Sequence, residues 1–327
     1  MLGSSRCVVF GLSLLSAVAL LAGAAQSQDW PTKPIRVLSA GAPGGSSDIY
    51  VRLIEPHVRE KLGQPMYLDN RPGAGGMLAA GIAAGSPPDG YNLFVSNSAT
   101  NAIGVTLYKK PTFNPDKELP AVALMARMTN AVVVRSDRGI NSFQELVAYI
   151  KSNPDKAFYG SAGSGTSSHL SGVLFGQKTG TEPTHVPYKG TAANMAGVLA
   201  GEVLFAIDNL PLYVPHVKSG AVKLLAVTQG TRSALAPDVP SVVELGIREL
   251  EGYSWFGLST STGTPPEIIK KLAGAVVAAV NSPEVSARIR EIGAEPAPMG
   301  PEEYDAFIKS EIAKWAPVIK ASGAVVD

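Results

Sequence analysis

The sequence predicts an α/β protein with largely parallel sheets, and three observations carry that expectation. From Trp30 onward, short β-branched or apolar runs alternate with helix-like stretches. A strand, a glycine- and serine-rich loop and a helix follow one another twice, once in each half of the chain. Of the 327 residues, 45% are hydrophobic and 17% charged, against about 25% charged in ordinary domains, so a sizeable core is available. The length leaves one large domain or two packed lobes equally open. The 34 glycines and 25 prolines point to many defined turns, since the apolar fraction is too high for a disordered chain.

Ile35 to Ser39 is the first strand. It runs into Gly41-Ala42-Pro43-Gly44-Gly45-Ser46-Ser47-Asp48 and then a helix from Ile49 to Leu62, with Ser46, Ser47 and Asp48 all competent N-caps. Pro56 lies inside that helix and predicts a kink or break near Glu55. Leu93 to Ser96 is a strand followed by the polar loop Asn97 to Asn101. Ala131 to Arg135 is another, and Ser142 to Lys151 a helix with Glu145 at the capping-box position. Ala157 to Tyr159 then enters the loop from Gly160 to His169, which opens a further helix. Thr184 to Val186, a helix at Ala192 to Ala200, the strand Val203 to Ile207 ending at Asp208, and Lys223 to Thr228 continue the alternation. The last third adds Tyr253 to Leu258 and three helices. The final one aligns Tyr304, Phe307, Ile308, Ile312 and Trp315 on one stripe, a core-packing face.

Residues 1–25 carry one cation, Arg6, an apolar run from Val8 to Leu21 and small residues from Ala22 to Ala25. This is the layout of a secretory signal peptide cut near Ala24 or Ala25. A membrane anchor is the alternative, but the run is shorter than the ~20 residues that span a bilayer. Cleavage removes one of 28 basic residues and none of 27 acidic ones, leaving a neutral mature chain. Neutrality argues against nucleic-acid binding over a broad basic surface. Cys7 is the only cysteine and precedes the apolar run, so the mature protein has neither disulfide nor thiol chemistry. Export without disulfides fits a Gram-negative periplasm.

The two glycine and serine loops carry the chemistry. Each brings unhindered backbone N–H groups to the start of a helix, where they lack intrahelical partners and the dipole favours negative charge, so each is a cradle for carboxylate or phosphate. The alternative is a pair of tight turns with serine caps. Enzyme motifs are missing: neither loop has the lysine of a phosphate loop or the full dinucleotide spacing, and no GxSxG elbow occurs. His57, His169, His185 and His216 lack helical zinc spacing, so no metal or cofactor is expected. His169 opens a helix beside a serine-rich loop and is either a polarising group or a surface or capping histidine.

Eight ordered segments resemble the periplasmic solute-binding proteins of tripartite tricarboxylate transporters, the Bug proteins, over essentially the whole mature chain. They are Trp30 to Ile35, Pro43 to Asp48, Asn70 to Gly76, Pro88 to Tyr91, Gly163 to Leu170, His185 to Gly190, Asp208 to Pro211 and Ser254 to Leu258. The resemblance implies a two-lobed type II periplasmic-binding-protein fold with a ligand cleft between lobes joined by two crossing strands. Lobe 1 would comprise residues 26–127 plus 251–327, and lobe 2 residues 128–250. It implies a small organic carboxylate as ligand, held by loop N–H groups, hydroxyls and water. First-lobe contacts would be Gly44, Gly45, Ser46 and Ser47, with Ser98 and Asn101. Second-lobe contacts would be Gly163, Ser164, Gly165, Thr166, Ser167 and Asp208.

One departure is Ser39-Ala40-Gly41-Ala42-Pro43, where the family often carries an aromatic and two prolines; it implies a cleft without that apolar wall. Asp208 would repel an anion, so it either accepts hydrogen bonds from the cradle loops or meets a cationic group. Lys189 is a cation near the cleft or a solvated lysine. Arg71 with Gly73 to Gly76 reads as a structural turn, and Trp255, near the return crossing, as a reporter of closure. The expected function is capture of a carboxylate by lobe closure, without catalysis, by a monomer that serves an inner-membrane transporter. The alternatives are a sensor domain as the partner, or a hydrolase built on the serine loop and His169.

Overall fold

The computed structural model describes residues 30–41, 43–73, 76–109 and 113–323. The expected signal peptide, Ala42 of the first loop, and Ala74 and Gly75 of the turn after Arg71 lie outside the described residues. The strands are β1 (Ile35–Ser39), β2 (Met66–Asn70), β3 (Asn92–Asn97), β4 (Ala121–Arg135), β5 (Phe158–Ser161), β6 (Thr184–Pro187), β7 (Phe205–Asn209), β8 (Val222–Val227), β9 (Tyr253–Thr260) and β10 (Glu295–Met299). Around them lie helices α1 (Ser46–Leu62), α2 (Met77–Ala84), α3 (Gly104–Leu107), α4 (Pro115–Glu118), α5 (Phe143–Ser152) and α6 (Ser167–Thr179). The remaining helices are α7 (Thr191–Ala200), α8 (Leu210–Lys218), α9 (Pro266–Asn281), α10 (Pro283–Glu291) and α11 (Pro301–Ser322).

The strand order is β2-β1-β3-β9-β4-β7-β5-β6, with β10 and β8 also on β4. Pairing is parallel within β2-β1-β3 and within β7-β5-β6, as expected for strands joined by helical crossovers. It is antiparallel wherever β4 or β9 takes part. The long strand β4 is what joins the halves. Its residues Ala121 to Thr129 pair with β9, and from Asn130 onward it pairs with β7 and β8. A two-lobed α/β architecture results, each half a parallel sheet flanked by helices.

Apolar burial follows this plan. One core packs Tyr50, Ile54 and Val58 of α1 and Val276 and Val280 of α9 against β1 and β3. Another runs from Leu170, Leu174 and Phe175 of α6 across to Tyr304, Ile308 and Trp315 of α11, buried as the sequence stripe requires.

Several elements differ from the sequence expectation. α1 runs unbroken through Pro56, because Pro56 and Arg52, whose carbonyl loses its N–H partner, both lie exposed where water replaces it. The polar loop after β3 is a π-helical turn, Ser98–Ile103, begun by the Asn97 side chain, which accepts from the N–H groups of Ala99 and Thr100. β4 starts ten residues before Ala131, its first half hidden by the helix-forming run Ala121 to Met128. β10 contains Pro296 and Pro298 yet pairs with β4 through Glu295 and Met299.

Candidate ligand-binding site

β1 ends in a loop that turns through Gly44 (φ +80°) and enters α1 at Gly45. Ser46 and Ser47 are the first two helical residues, so their N–H groups lie outside the intrahelical ladder. Asp48 braces the loop: it accepts the Gly44 N–H at 3.0 Å, Arg52 Nε at 3.2 Å and Asn70 Nδ2 at 3.4 Å. Asn70 also donates to the Gly41 carbonyl at 2.9 Å. Burial opposes ionisation of Asp48, but the Gly44 N–H, Arg52 and Asn70 outweigh it and hold the carboxyl below its usual range.

Ser98 and Asn101 are buried on the π turn. Asn101 Oδ1 accepts from Thr100 Oγ1 at 2.8 Å. This turn packs against the first loop: a Cβ at Gly76 (φ +98°) would lie 2.6 Å from Thr100 Cγ2 and 3.0 Å from Ala40 Cβ.

In the second loop, Gly163 (φ +130°) and Gly165 (φ +77°) supply backbone that other residues rarely adopt. Thr166 is the N-cap of α6, its Oγ1 accepting from His169 N and donating to the Gly163 carbonyl at 2.7 Å. Ser168 Oγ accepts from Ala162 N at 2.9 Å, and His169 Nδ1 accepts from Gly165 N at 3.1 Å. Ser161 Oγ accepts from Gly163 N at 3.1 Å and meets His185 Nε2 at 2.6 Å. The fold thus stacks His169 on His185 with centroids 4.0 Å apart. Burial pushes both down to about 4, the neighbouring ring adding to it at His185, so both are neutral at pH 7. His169 is neither a surface group nor a cap but a buried brace.

Two further contacts join this loop to α3 and β9. Gly165 lies against Leu107 of α3, where a Cβ would overlap Leu107 Cδ2. Ser167 Oγ meets Ser254 Oγ of β9 at 2.9 Å, and Ser254 Oγ donates to Asn209 Oδ1 at 3.2 Å. Asp208 is engaged elsewhere. It accepts from Asn194 Nδ2 at 2.7 Å and Asn209 N at 2.8 Å, with Thr191 nearby, none of them a cradle-loop residue. Burial pushes its carboxyl up to about 6 despite these donors. Lys189 is exposed in the turn before α7, and Arg71 pairs with Asp69 at 2.9 Å. Trp255 is fully buried against α11, its Nε1 donating to Glu311 at 3.2 Å. Open cavities of about 740 and 750 Å³ lie beside α6 and along α11, away from both loops.

Sequence reasoning missed Asp48 as a brace, along with Asn70, Asn97, Ser161, Asn209 and Ser254. Asp48 was legible as the third residue of a helix following a glycine loop. Asn70 and Ser254 are joined to the loops only by tertiary folding.

Two parallel-sheet lobes, each presenting a glycine and serine loop at a helix start and sharing two crossing strands, define the class of two-lobed periplasmic binding proteins. The model of the tripartite tricarboxylate transporter family receptor matches residues 50–324, and the chain belongs to this family. It is 31% identical over 314 residues to BugT of Bordetella pertussis, covering 96% of both chains. Among solved structures, Rpa4515 of R. palustris with adipate superposes with a TM-score of 0.80 at 34% identity, over 90% of this chain and 99% of that one. MatC of Rhodopseudomonas palustris with bound malate gives 0.77 at 32% identity, over 89% and 100%.

Proposed function

We propose that this chain is a periplasmic solute-binding protein that captures a small organic carboxylate between two lobes and delivers it to inner-membrane components of a tripartite tricarboxylate-type transporter. Lobe 1 is residues 26–127 plus 251–327 and lobe 2 residues 128–250, residues 1–25 being removed on export. The observation that carries this reading is the pair of glycine and serine loops, one per proposed lobe, each opening a helix that meets β9, α1 through Tyr50 on Phe256 and α6 through Ser167 on Ser254. Each offers helix-start N–H groups to an anion. Gly44, Gly45, Ser46 and Ser47 would hold it from one side, with Ser98 and Asn101, and Gly163 to Ser167 from the other. Asp208 orders lobe 2 through Asn194 and Thr191. Adipate and malate in the related structures support a carboxylate as ligand class.

Binding proceeds without covalent chemistry. Ser161 and His185 lie at nucleophile-to-base distance, but Ser161 is sealed from solvent and its hydroxyl is already shared between the Gly163 N–H and carbonyl. Closure is favoured by ligand because both lobes contribute donors only when together.

A thermal-shift screen of the protein from Gln26 against mono-, di- and tricarboxylates, amino acids and aromatic acids tests this. A ligand at about 100 times its Kd adds roughly 2.7 kcal/mol, a shift of several degrees. A shift with an acid, lost on replacing Ser46 and Thr166 by bulkier residues, supports the clamp. No shift with any acid, or turnover of esters by the same sample, overturns it. Fractionation of the producing cells, with N-terminal sequencing, checks the periplasmic location and the cut near Ala24 or Ala25.

A further inference from the structure

Asn130 stands at the residue where β4 passes from β9 to β7 and β8. Its backbone is fully used, the N–H donating to Thr228 Oγ1 at 3.1 Å and the carbonyl accepting from Thr228 N at 2.9 Å. Its side chain is not. Asn130 is 0% exposed, and among the described residues neither Nδ2 nor Oδ1 has a hydrogen-bond partner. Buried polar atoms are almost always satisfied, and a leucine of similar size would occupy this place without unmet donors or acceptors.

The direction of that side chain follows from register. Asn130 lies opposite Asn209 in the antiparallel β4–β7 pair, so the two side chains share a face. On that face Asn209 Oδ1 accepts from Ser254, which meets Ser167, the first residue of α6. A second unpartnered group comes from the other lobe. The Tyr50 hydroxyl, one turn below Ser46 and Ser47, is buried without a partner among the described residues. Its ring lies 5.0 Å from Phe256, two residues beyond Ser254 and therefore on the same face of β9. The nearest charges on these strands are turned away: Asp208 precedes Asn209, and Arg127 faces the opposite side of β4 from Met128 and Asn130.

We infer that Asn130 is a specificity-determining residue that reads a hydroxyl on the ligand, so that the site takes hydroxycarboxylates ahead of the same acids without the hydroxyl. This rests on the carboxylate-binding reading given above. An amide with a free donor and a free acceptor on a floor without charge suits a neutral group that both accepts and donates, with Nδ2 donating to the hydroxyl oxygen and Oδ1 accepting its proton. A second carboxylate there would find no counter-charge, and an ammonium would find no carboxylate. The sealing of Asn130 in this conformation means that ligand reaches it only through opening of the lobes.

The test is isothermal titration of the mature protein with two acid pairs that each differ by one hydroxyl, malate with succinate and citrate with tricarballylate. In at least one pair the hydroxylated acid binds about tenfold tighter or more, since a site built to bond a hydroxyl rejects its absence strongly. Asn130→Leu brings the ratio within about threefold, leaving the unhydroxylated acid nearly unchanged, and Asn130→Ser, which replaces the amide with a single hydroxyl able to donate and accept, falls between and serves if the leucine variant does not fold. A structural amide would alter melting temperature but leave the ratio alone. An unmoved ratio, or no preference in either pair while an acid still binds, overturns the inference and leaves the proposed function standing. Failure of every acid to bind removes both.

Discussion

The two cradle loops have the same mechanical plan with different chemistry. In each, the third residue of the helix accepts the N–H of a positive-φ glycine four residues earlier: Asp48 takes Gly44 and His169 takes Gly165. The first brace is a carboxylate shared with Arg52 and Asn70, and the second a neutral imidazole buried against another. A charged brace stiffens its loop with stronger bonds but places a negative charge beneath an anion cradle. The neutral brace leaves the helix-start potential of α6 intact. In the proposed anion site the loop opening α6 would therefore carry more of the attraction, and the loop opening α1 would depend on Arg52 to offset Asp48.

The largest effect distinguishes the two glycines. At Gly44 a Cβ meets nothing within 4 Å, so alanine brings only the cost of a left-handed backbone, about 1–2 kcal/mol. At Gly165 the same cost is joined by overlap with Leu107 of α3, a contact between the two proposed lobes. Gly165→Ala should weaken binding of the acid found in the thermal screen by at least about tenfold more than Gly44→Ala. Pairing it with Leu107→Ala should recover most of the difference. Equal losses from the two glycine variants would mean that Leu107 and Gly165 do not meet in the bound protein.

The braces also predict a pH dependence. Free histidines protonate near 6.5, whereas His169 and His185 are pushed down to about 4. Between about pH 6.5 and 4.5 the unfolded chain therefore holds from one to nearly two protons that the fold does not, and acid destabilises. Asp208 acts oppositely: pushed up to about 6 from an ordinary 3.8, it is a proton the fold keeps and the unfolded chain loses. The histidines prevail, so the melting temperature should fall on acidification across this window. Asp208→Asn should steepen the fall, and His169→Gln should nearly flatten it below pH 6. A melting temperature that rises as pH drops would show that the stacked pair is not held neutral.

Much of this arrangement was legible in the chain. The loops at Gly44 and Gly163 announce themselves because glycine, serine and a following apolar period are local signals. The braces were half visible, since Asp48 and His169 sit at a recognisable helix position, yet only tertiary folding stacks His185 on His169 from a separate strand. Asp208 shows the limit most clearly. The family resemblance placed it at the cleft, but the period of two turns it toward α7 and sends its neighbour Asn209 to the crossing strands instead. Asn130 was beyond reach, because nothing local distinguishes a buried unpartnered amide from an ordinary strand-start residue, and the switch of β4 between partners is set by pairing distant in sequence.

The smallest expected effect concerns Trp255, which by sequence alone should sense closure. β9 turns Ser254 toward Ser167 of the proposed lobe 2 and Trp255 to the opposite face. There its indole is held by Glu311 and lies edge-on to Tyr304 and Phe307, at 5.7 and 5.5 Å, all on α11. Trp315 donates to the same carboxylate at 3.1 Å, and Trp30 packs on Tyr91. The hydrogen bonds and ring contacts of all three tryptophans thus lie among residues of the proposed lobe 1, so movement of the proposed lobe 2 leaves these in place and alters only the apolar core that Trp255 and Trp315 share with α6. Intrinsic emission should show at most a small shift on adding an acid that raises the melting temperature. A clear shift, lost in Trp255→Phe, would mean that β9 moves with lobe 2, and the boundary between residues 250 and 251 would have to be redrawn beyond Trp255.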